Sequence, residues 1–145
     1  MYPRKLPLIL LVMAIVLSGC ELGTPFEEAK SGIPAEAEGK GRIFVYRTSN
    51  LVTLAFPRKF VLDGKFVANI LAGNSYTVET SPGDHTATDG GGDFALKFKV
   101  EAGKTKYIRY TIVDDSVAKG NTIIEDVPED QALTHLKSTQ FIGSK

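Results

Sequence analysis

The chain has 145 residues, of which 43% are hydrophobic, and it carries 17 acidic and 17 basic side chains. This length and balance are typical of a single small globular domain. The absence of a basic excess or stripe argues against a nucleic-acid partner. With two histidines and one cysteine, no cluster has the spacing of a zinc site. The sequence therefore predicts no metal, no cofactor and no nucleic-acid partner.

The first residues have the pattern of an export signal. Arg4 and Lys5 precede an apolar run over residues 6–17. At about twelve residues this run is shorter than the roughly twenty that a membrane-spanning helix needs. A basic start, a short apolar middle and small residues after it predict a signal peptide over residues 1–19.

Cys20 comes directly after the signal. Leu17, Ser18 and Gly19 before it resemble the bacterial lipobox, in which the cysteine thiol receives a diacylglyceryl group. Cys20 is the only cysteine in the chain and so has no intramolecular disulfide partner. We therefore predict that Cys20 is the lipidation site and anchors the chain to a membrane. Because Glu21 rather than aspartate follows it, the sequence favours the outer membrane, facing the periplasm.

Residues 20–40 carry no strand period and include two prolines and three glycines. Such a stretch is typical of a flexible connection. We expect it to form a tether between the lipid and the domain, with a root-mean-square span of roughly 25 Å.

From residue 41 onward the pattern has period two, broken by turn residues, which predicts β-structure. Residues 42–47 are apolar on both faces, as in a central strand. Asp63-Gly64 lies between two apolar runs and predicts a type I′ hairpin. Residues 94–100 alternate most clearly, and we expect residues 106–113 to return antiparallel to them after a turn at residues 102–104.

One helix is expected, from Pro128 to Lys137, with Leu133 and Leu136 facing the sheet and the helix covering an edge or end of it. Residues 138–145 are expected to be a tail. The predicted fold is all-β: an antiparallel β-sandwich or small open barrel over residues 41–137, with one short C-terminal helix.

Three further features have residue types that could carry chemistry. Gly103-Lys104-Thr105 resembles part of a phosphate loop, but a strand follows it and not a helix, so a turn is expected. The loop at residues 89–93, with two aspartates around three glycines, has the groups for calcium but only one copy of the repeat. His85 follows a Pro-Gly turn, where its ring can satisfy turn carbonyls, and His135 lies on the helix. Both histidines are expected to be structural, and no catalytic residue is predicted.

Four segments together resemble a known family: residues 41–47, 61–65, 82–86 and 100–107. The family is one of small bacterial lipoproteins defined as domain of unknown function 2846, and the resemblance covers roughly residues 39–135. The Asp-Gly-Lys hairpin and the later Pro-Gly-x-His also resemble the PEGA module, a surface-associated β domain. Since these motifs are mostly turns, the resemblance implies a fold and no catalytic residue.

These observations predict a lipid-anchored envelope lipoprotein whose β-sandwich is a binding or structural module without enzymatic activity. Its expected partner is the membrane, through Cys20. The first alternative is a protein-interaction module that pairs an exposed strand edge with another envelope protein. The second is an envelope hydrolase, which requires a cleft with converging polar groups.

Overall fold

The structure, a computed structural model, describes residues 23–49, 56–91, 94–113 and 121–145. In these ranges the chain forms two β-sheets that share one hydrophobic core, which confirms the predicted all-β sandwich. The strands are β1 (Thr24–Pro25), β2 (Gly41–Arg47), β3 (Arg58–Leu62), β4 (Lys65–Ile70), β5 (Asn74–Thr80), β6 (Gly83–Thr88), β7 (Ala95–Val100), β8 (Thr105–Ile112), β9 (Thr122–Asp126) and β10 (Gln140–Ser144). The helices are α1 (Phe26–Ala29), which continues into a 3-10 turn at Lys30–Gly32, and α2 (Glu129–Leu136).

The larger sheet has the strand order β1-β10-β5-β2-β8-β9, and the smaller sheet has the order β4-β3-β6-β7. The smaller sheet is antiparallel throughout, as predicted. The larger sheet is mixed, because β2 pairs parallel with β8 and β5 pairs parallel with β10. None of the helices in these described ranges is long and apolar enough to cross a membrane.

Strand β2 lies in the middle of the larger sheet, between β5 and β8, and every residue of it is buried. Ile43 and Val45 point into the core between the sheets, whereas Phe44 and Tyr46 point to a second core on the other side. Burial on both faces explains why this strand reads as a nearly continuous apolar run.

The Asp63-Gly64 hairpin between β3 and β4 is confirmed. A type I′ turn needs positive φ at both central residues. Asp63 has φ 51° and Gly64 has φ 78°. The turn therefore fixes the register of the residue pairs next to it. Farther from the turn, the register of β3 against β4 shifts between Phe60 and Val61.

The expected hairpin between residues 94–100 and 106–113 is not formed. The turn at residues 102–104 instead carries the chain from β7, in the smaller sheet, to β8, in the larger one. Tyr107, Ile108 and Tyr110 of β8 bury both faces of that strand. The shared core covers the side of Ile108 and Tyr110, and the second core beneath α2 covers the side of Tyr107, so β8 is buried on both faces only as a strand of the larger sheet.

The structure also differs from the prediction at both ends of the domain. Phe26, in the expected tether, is 4% exposed, and its ring packs edge-on against Phe44 with centroids 5.7 Å apart. Strand β1 pairs with β10, which lies in the expected tail and pairs in turn with β5. Burial of apolar side chains, Phe26 and Phe141 among them, brings these segments onto the sheet.

Helix α2 begins and ends close to the predicted residues, but its contacts differ. It buries Ala132 and Leu136, one turn apart, whereas Leu133 is 37% exposed. The helix packs with Tyr46 and Tyr107 in the second core and so covers a face of the larger sheet, not an edge. Together with the segment around Phe26, it forms a layer over that face.

Candidate binding face

The two sheets differ in what covers their outer faces. The outer face of the larger sheet carries the second core beneath α1 and α2. In the smaller sheet the inward side chains join the shared core, and no described element covers the other side. We call that side the open face. Its side chains, by strand alternation and register, are Lys59, Val61, Phe66, Asn69, Asp84, Thr86, Thr88, Ala95, Lys97 and Lys99.

A row of four residues crosses the open face, and we call it the apolar row because three of the four are apolar. The register places Phe66 opposite Val61, Val61 opposite Thr88, and Thr88 opposite Ala95. Phe66 is 59% exposed, the highest value for a large hydrophobic residue in the described ranges. Since single exposed apolar residues are common, it is the alignment of this row with neighbouring charges that distinguishes the face.

Lysines lie on both sides of the apolar row. Lys59 precedes the row along β3, and Lys97 and Lys99 follow it along β7. Within the part of the chain that the structure describes, none of these three lysines forms an ion pair. Asp84, opposite Lys99, is the single acidic side chain on this face among the described residues. The open face therefore has a net positive charge.

Basic residues on the outer face of the larger sheet are neutralised by cross-strand carboxylates. Arg42 Nε lies 2.6 Å from Glu79 Oε1, and Arg109 Nη2 lies 2.7 Å from Glu125 Oε2. Each pair joins residues that are directly opposite in register. Opposite charges in that position stabilise a sheet. On the open face, Lys59 and Lys97 have no carboxylate opposite them in register, whereas Lys99 lies opposite Asp84 without an ion pair between them in the described residues.

Two depressions lie along the smaller sheet. One, of about 590 Å³, is lined by residues on the open side of β3 and β4, including Lys59, Val61 and Phe66, and by Gly90. The other, of about 440 Å³, lies over β6 and β7 and is lined by Asp84, His85, Thr86, Lys97, Phe98 and Lys99. Both have the volume of small-ligand sites, but they are shallow and open to solvent. The geometry is that of an open surface and not of a closed cleft.

His85 borders the depression over β6 and β7, but its side chain alternates to the core side of the sheet, where its ring packs against Phe98. Its Nδ1 lies 2.7 Å from Asp63 Oδ2, and its Nε2 lies 2.8 Å from the Ser81 carbonyl oxygen. The expectation that His85 satisfies a turn carbonyl is confirmed by the second contact. Burial opposes the charged form of the ring, but the hydrogen bonds to Asp63 and Ser81 outweigh it, so the pKa of His85 is raised.

The Asp63 carboxylate is held in the same arrangement. Its Oδ1 accepts a hydrogen bond from the Thr86 backbone N–H at 2.8 Å. Burial favours the neutral acid, but the bonds from His85 and Thr86 outweigh burial and hold the pKa of Asp63 below its usual value. The pair thus joins the β3–β4 turn to strand β6 and the turn that precedes it.

His135 takes part in a second network, between α2 and the larger sheet. Its Nδ1 lies 2.9 Å from Tyr46 Oη, and its Nε2 lies 3.4 Å from Arg109 Nη1. Because a guanidinium can only donate, Nε2 accepts, and a neutral ring then donates from Nδ1 to Tyr46. Burial raises the pKa of Tyr46 to about 12. With Tyr46 fully buried, this network fastens α2 to the sheet.

The remaining candidates from the sequence give no site. In the glycine loop, Asp89 Oδ1 accepts from the Gly91 backbone N–H at 2.9 Å, a local turn bond. Gly92 and Asp93 lie outside the described residues. Among the residues that are described, no three potential metal ligands come together. Lys104 and its neighbours form the turn between the sheets, with a strand and no helix behind them.

Cys20 and the predicted signal peptide, residues 1–19, also lie outside the described residues. Their assignment depends on the sequence alone and stays a prediction.

The sequence alone predicts part of the open face, through the alternation of apolar and polar residues in a single strand. The alternation in residues 94–100 already placed Lys97 and Lys99 on the side opposite the core. Lys59 and Phe66 could not be joined to them, because that requires the pairing of β3 with β6, whose partners lie about 25 residues apart in the chain.

Comparison with known proteins gave no relative: no family model matches the chain, and neither does any curated protein or solved structure.

Proposed function

We propose that this protein is a lipid-anchored module of the bacterial cell envelope that binds its partner through the open face and performs no catalysis. The observation that carries the proposal is the contrast between the two sheets. One outer face is covered and its charges are paired, whereas the open face keeps Phe66 at the surface, together with three lysines that have no ion-pair partner among the described residues.

The anchor in this proposal is the lipid on Cys20. A single acyl chain gives only reversible membrane binding, whereas two or three chains hold a protein on a membrane for long periods. Glu21 after the cysteine favours the outer membrane, with the domain facing the periplasm.

The packing of β1 shortens the connection between lipid and domain. Thr24 already pairs with Phe141 of β10, so the chain from Cys20 to Thr24 is four residues long. Whatever its conformation, four residues span at most about 14 Å. The domain is therefore held at the membrane surface, much closer than a tether of twenty residues would allow.

Two contacts support a function without catalysis. Both ring nitrogens of His85 are occupied, by Asp63 and by a backbone carbonyl. Those of His135 face Tyr46 and Arg109. General acid–base catalysis needs a group within hydrogen-bond reach of the substrate, and these rings are used to hold the fold together.

Intact-mass measurement of protein extracted from membranes tests the anchor. We expect a chain that begins at Cys20 and carries a diacylglyceryl group. Cys20→Ala should block processing and release of the signal, whereas Ser18→Ala, which keeps a small residue before the cysteine, should be processed normally. A mature chain that begins at Met1, or one cleaved but without lipid, would contradict the proposal.

A second candidate function is pairing with another envelope protein through β9. This strand is at one end of the larger sheet in the described ranges, and it contains neither lysine nor proline, residues that commonly protect edges. Ile123 on it is 37% exposed. Cross-linking of membranes followed by purification tests this candidate: a protein partner lost on Ile123→Lys and kept on Leu133→Lys would favour it over the open face.

A further inference from the structure

We propose that the open face is a membrane-docking surface, which lies on an anionic bilayer with Phe66 at the boundary between headgroups and acyl chains. The inference rests on the lipid anchor proposed above and names the ligand of the open face. Two properties of the described residues support it: the shape of the face and the placement of its charges.

The face is broad and open. The four strands side by side are roughly 19 Å wide, and the β3–β4 and β6–β7 hairpins are offset along the strands, because β3 and β6 pair only at Val61–Thr88 and Leu62–Ala87. A shallow face of this kind cannot enclose a small molecule, but it matches a planar surface. Phe66, the most exposed large hydrophobic residue in the described ranges, is the second residue of the edge strand β4, next to the Asp63-Gly64 turn.

The charges fit a bilayer better than a single extended chain. Lys59 lies on one side of the apolar row, and Lys97 and Lys99 lie on the other. A strand of acidic peptide bound along β7 would meet the latter two and leave Lys59 about 16 Å away. A sheet of anionic headgroups meets all three at once while the apolar row faces the acyl boundary, as in proteins that lie at membrane interfaces.

The lysines are expected to add only modestly to the affinity of the open face for an anionic bilayer. Each lysine near an anionic surface favours binding about fivefold, and Asp84 offsets one of the three, so the docked orientation is favoured about 25-fold. Without an anchor this is weak binding, but an anchored domain is always near the membrane, and the same factor then decides its orientation.

The chain has no tryptophan, so Phe66→Trp supplies a single fluorescent reporter on the open face. The lipidated full chain carrying this change is reconstituted into vesicles of phosphatidylcholine alone or with added phosphatidylglycerol. The matched control is Leu133→Trp, which places the reporter on the opposite side of the molecule, on α2.

We expect the emission of the Phe66→Trp protein to move to shorter wavelength only in the anionic vesicles. In about 0.5 M salt, which screens surface charges, the emission should return toward that of an exposed residue. Replacement of Lys59, Lys97 and Lys99 by glutamine should remove the shift, and the Leu133→Trp control should not respond.

Two outcomes would overturn the inference. The first is equal emission of the Phe66→Trp protein in both kinds of vesicle, which would leave a soluble or protein ligand for the open face. The second is a response from the Leu133→Trp control instead, which would place the other side of the molecule on the bilayer.

Flotation of the same samples separates this inference from the proposed function. If the protein floats with both kinds of vesicle and the reporter at position 66 does not respond, the anchor stands and the docking surface is wrong. If the processed protein does not float at all, the anchor itself fails.

Discussion

His85 Nδ1 lies 2.7 Å from Asp63 Oδ2, and this contact joins two turns that are 22 residues apart in the chain. The other ring nitrogen, Nε2, faces the Ser81 carbonyl oxygen at 2.8 Å. A carboxylate and a carbonyl can only accept hydrogen bonds, so the ring satisfies both only when it is doubly protonated. The contact therefore depends on pH.

The raised pKa of His85 makes stability decrease as pH rises. The folded state holds the proton more tightly than the unfolded chain, so the contribution is fully present below the unfolded pKa of about 6.5 and is lost as pH rises through the higher folded pKa. For Asp63, whose pKa is lowered, the contribution is present above about pH 4 and lost in more acidic solution. The pair is strongest between these limits.

We therefore expect the free energy of unfolding to fall between pH 5.5 and pH 8 in the wild type, and to fall less in His85→Asn. The difference should be no more than about 1 kcal/mol, because Asp63 is 46% exposed and solvent screens the pair. Urea unfolding at the two pH values measures it. Asp84→Asn, which leaves both contacts of the ring in place, should keep most of the slope; an unchanged slope in His85→Asn would show that the contact has no energetic role.

Phe26→Ala tests whether the segment before β2 is part of the domain. Phe26 is 4% exposed and packs against Phe44, so its truncation should reduce the free energy of unfolding by about 3 kcal/mol. Glu28→Ala, on the exposed side of the same helix, should change it by less than about 0.5 kcal/mol. Denaturant unfolding gives both values, and equal stability of the two variants would mean that the segment is a free tether after all.

Gly41→Ala tests the close approach of β2 to the end of β7. A Cβ at position 41 would overlap the Val100 side chain and the Glu101 carbonyl oxygen. Overpacking of this kind costs about 1–3 kcal/mol, which should appear as a lower midpoint of thermal unfolding. At Gly32 an added Cβ meets nothing within 4 Å, so Gly32→Ala should unfold at nearly the wild-type temperature. A Gly41→Ala protein as stable as that control would contradict the packing described.

Tyr46→Phe tests the network beneath α2. The change removes the hydroxyl that lies 2.9 Å from His135 Nδ1 and leaves that nitrogen without its partner, at a cost of about 1–2 kcal/mol. Tyr107→Phe is the control, since its hydroxyl bonds at 3.2 Å to Glu129, which is exposed and can turn to water. Chemical unfolding should rank the Tyr46 variant as the less stable; the reverse order would rule out a stabilising role for His135.

Local patterns predicted the parts of the fold that depend on neighbouring residues. Asp63-Gly64 fixes its hairpin through two positive φ angles, and Gly64 supplies one of them without steric cost. Strand β2 reads correctly as central because its residues are apolar on both sides. Both features can be predicted without knowing which distant strand pairs with the segment.

Other features depend on pairings that the sequence does not encode locally. Strand β8 follows β7 after a short turn, yet it pairs parallel with β2, which lies about 60 residues earlier. Phe26 is one aromatic residue in a segment rich in proline and glycine, so no period marks it as buried. In α2, eight residues are too few to distinguish a stripe through Ala132 and Leu136 from one through Leu133. The open face shares the first of these difficulties, because its lysines come from strands that are distant in the chain, β3 and β7.

Photo-crosslinking in intact cells is the sharpest test of whether the open face lies on the membrane. A photoreactive residue replaces Phe66 on the open face or, in the control protein, Leu133 on α2, and each lipoprotein is then analysed by intact mass after irradiation. We predict an adduct of lipid mass at position 66 and none at position 133. No adduct at position 66, or an adduct at position 133 alone, would contradict the membrane-docked orientation.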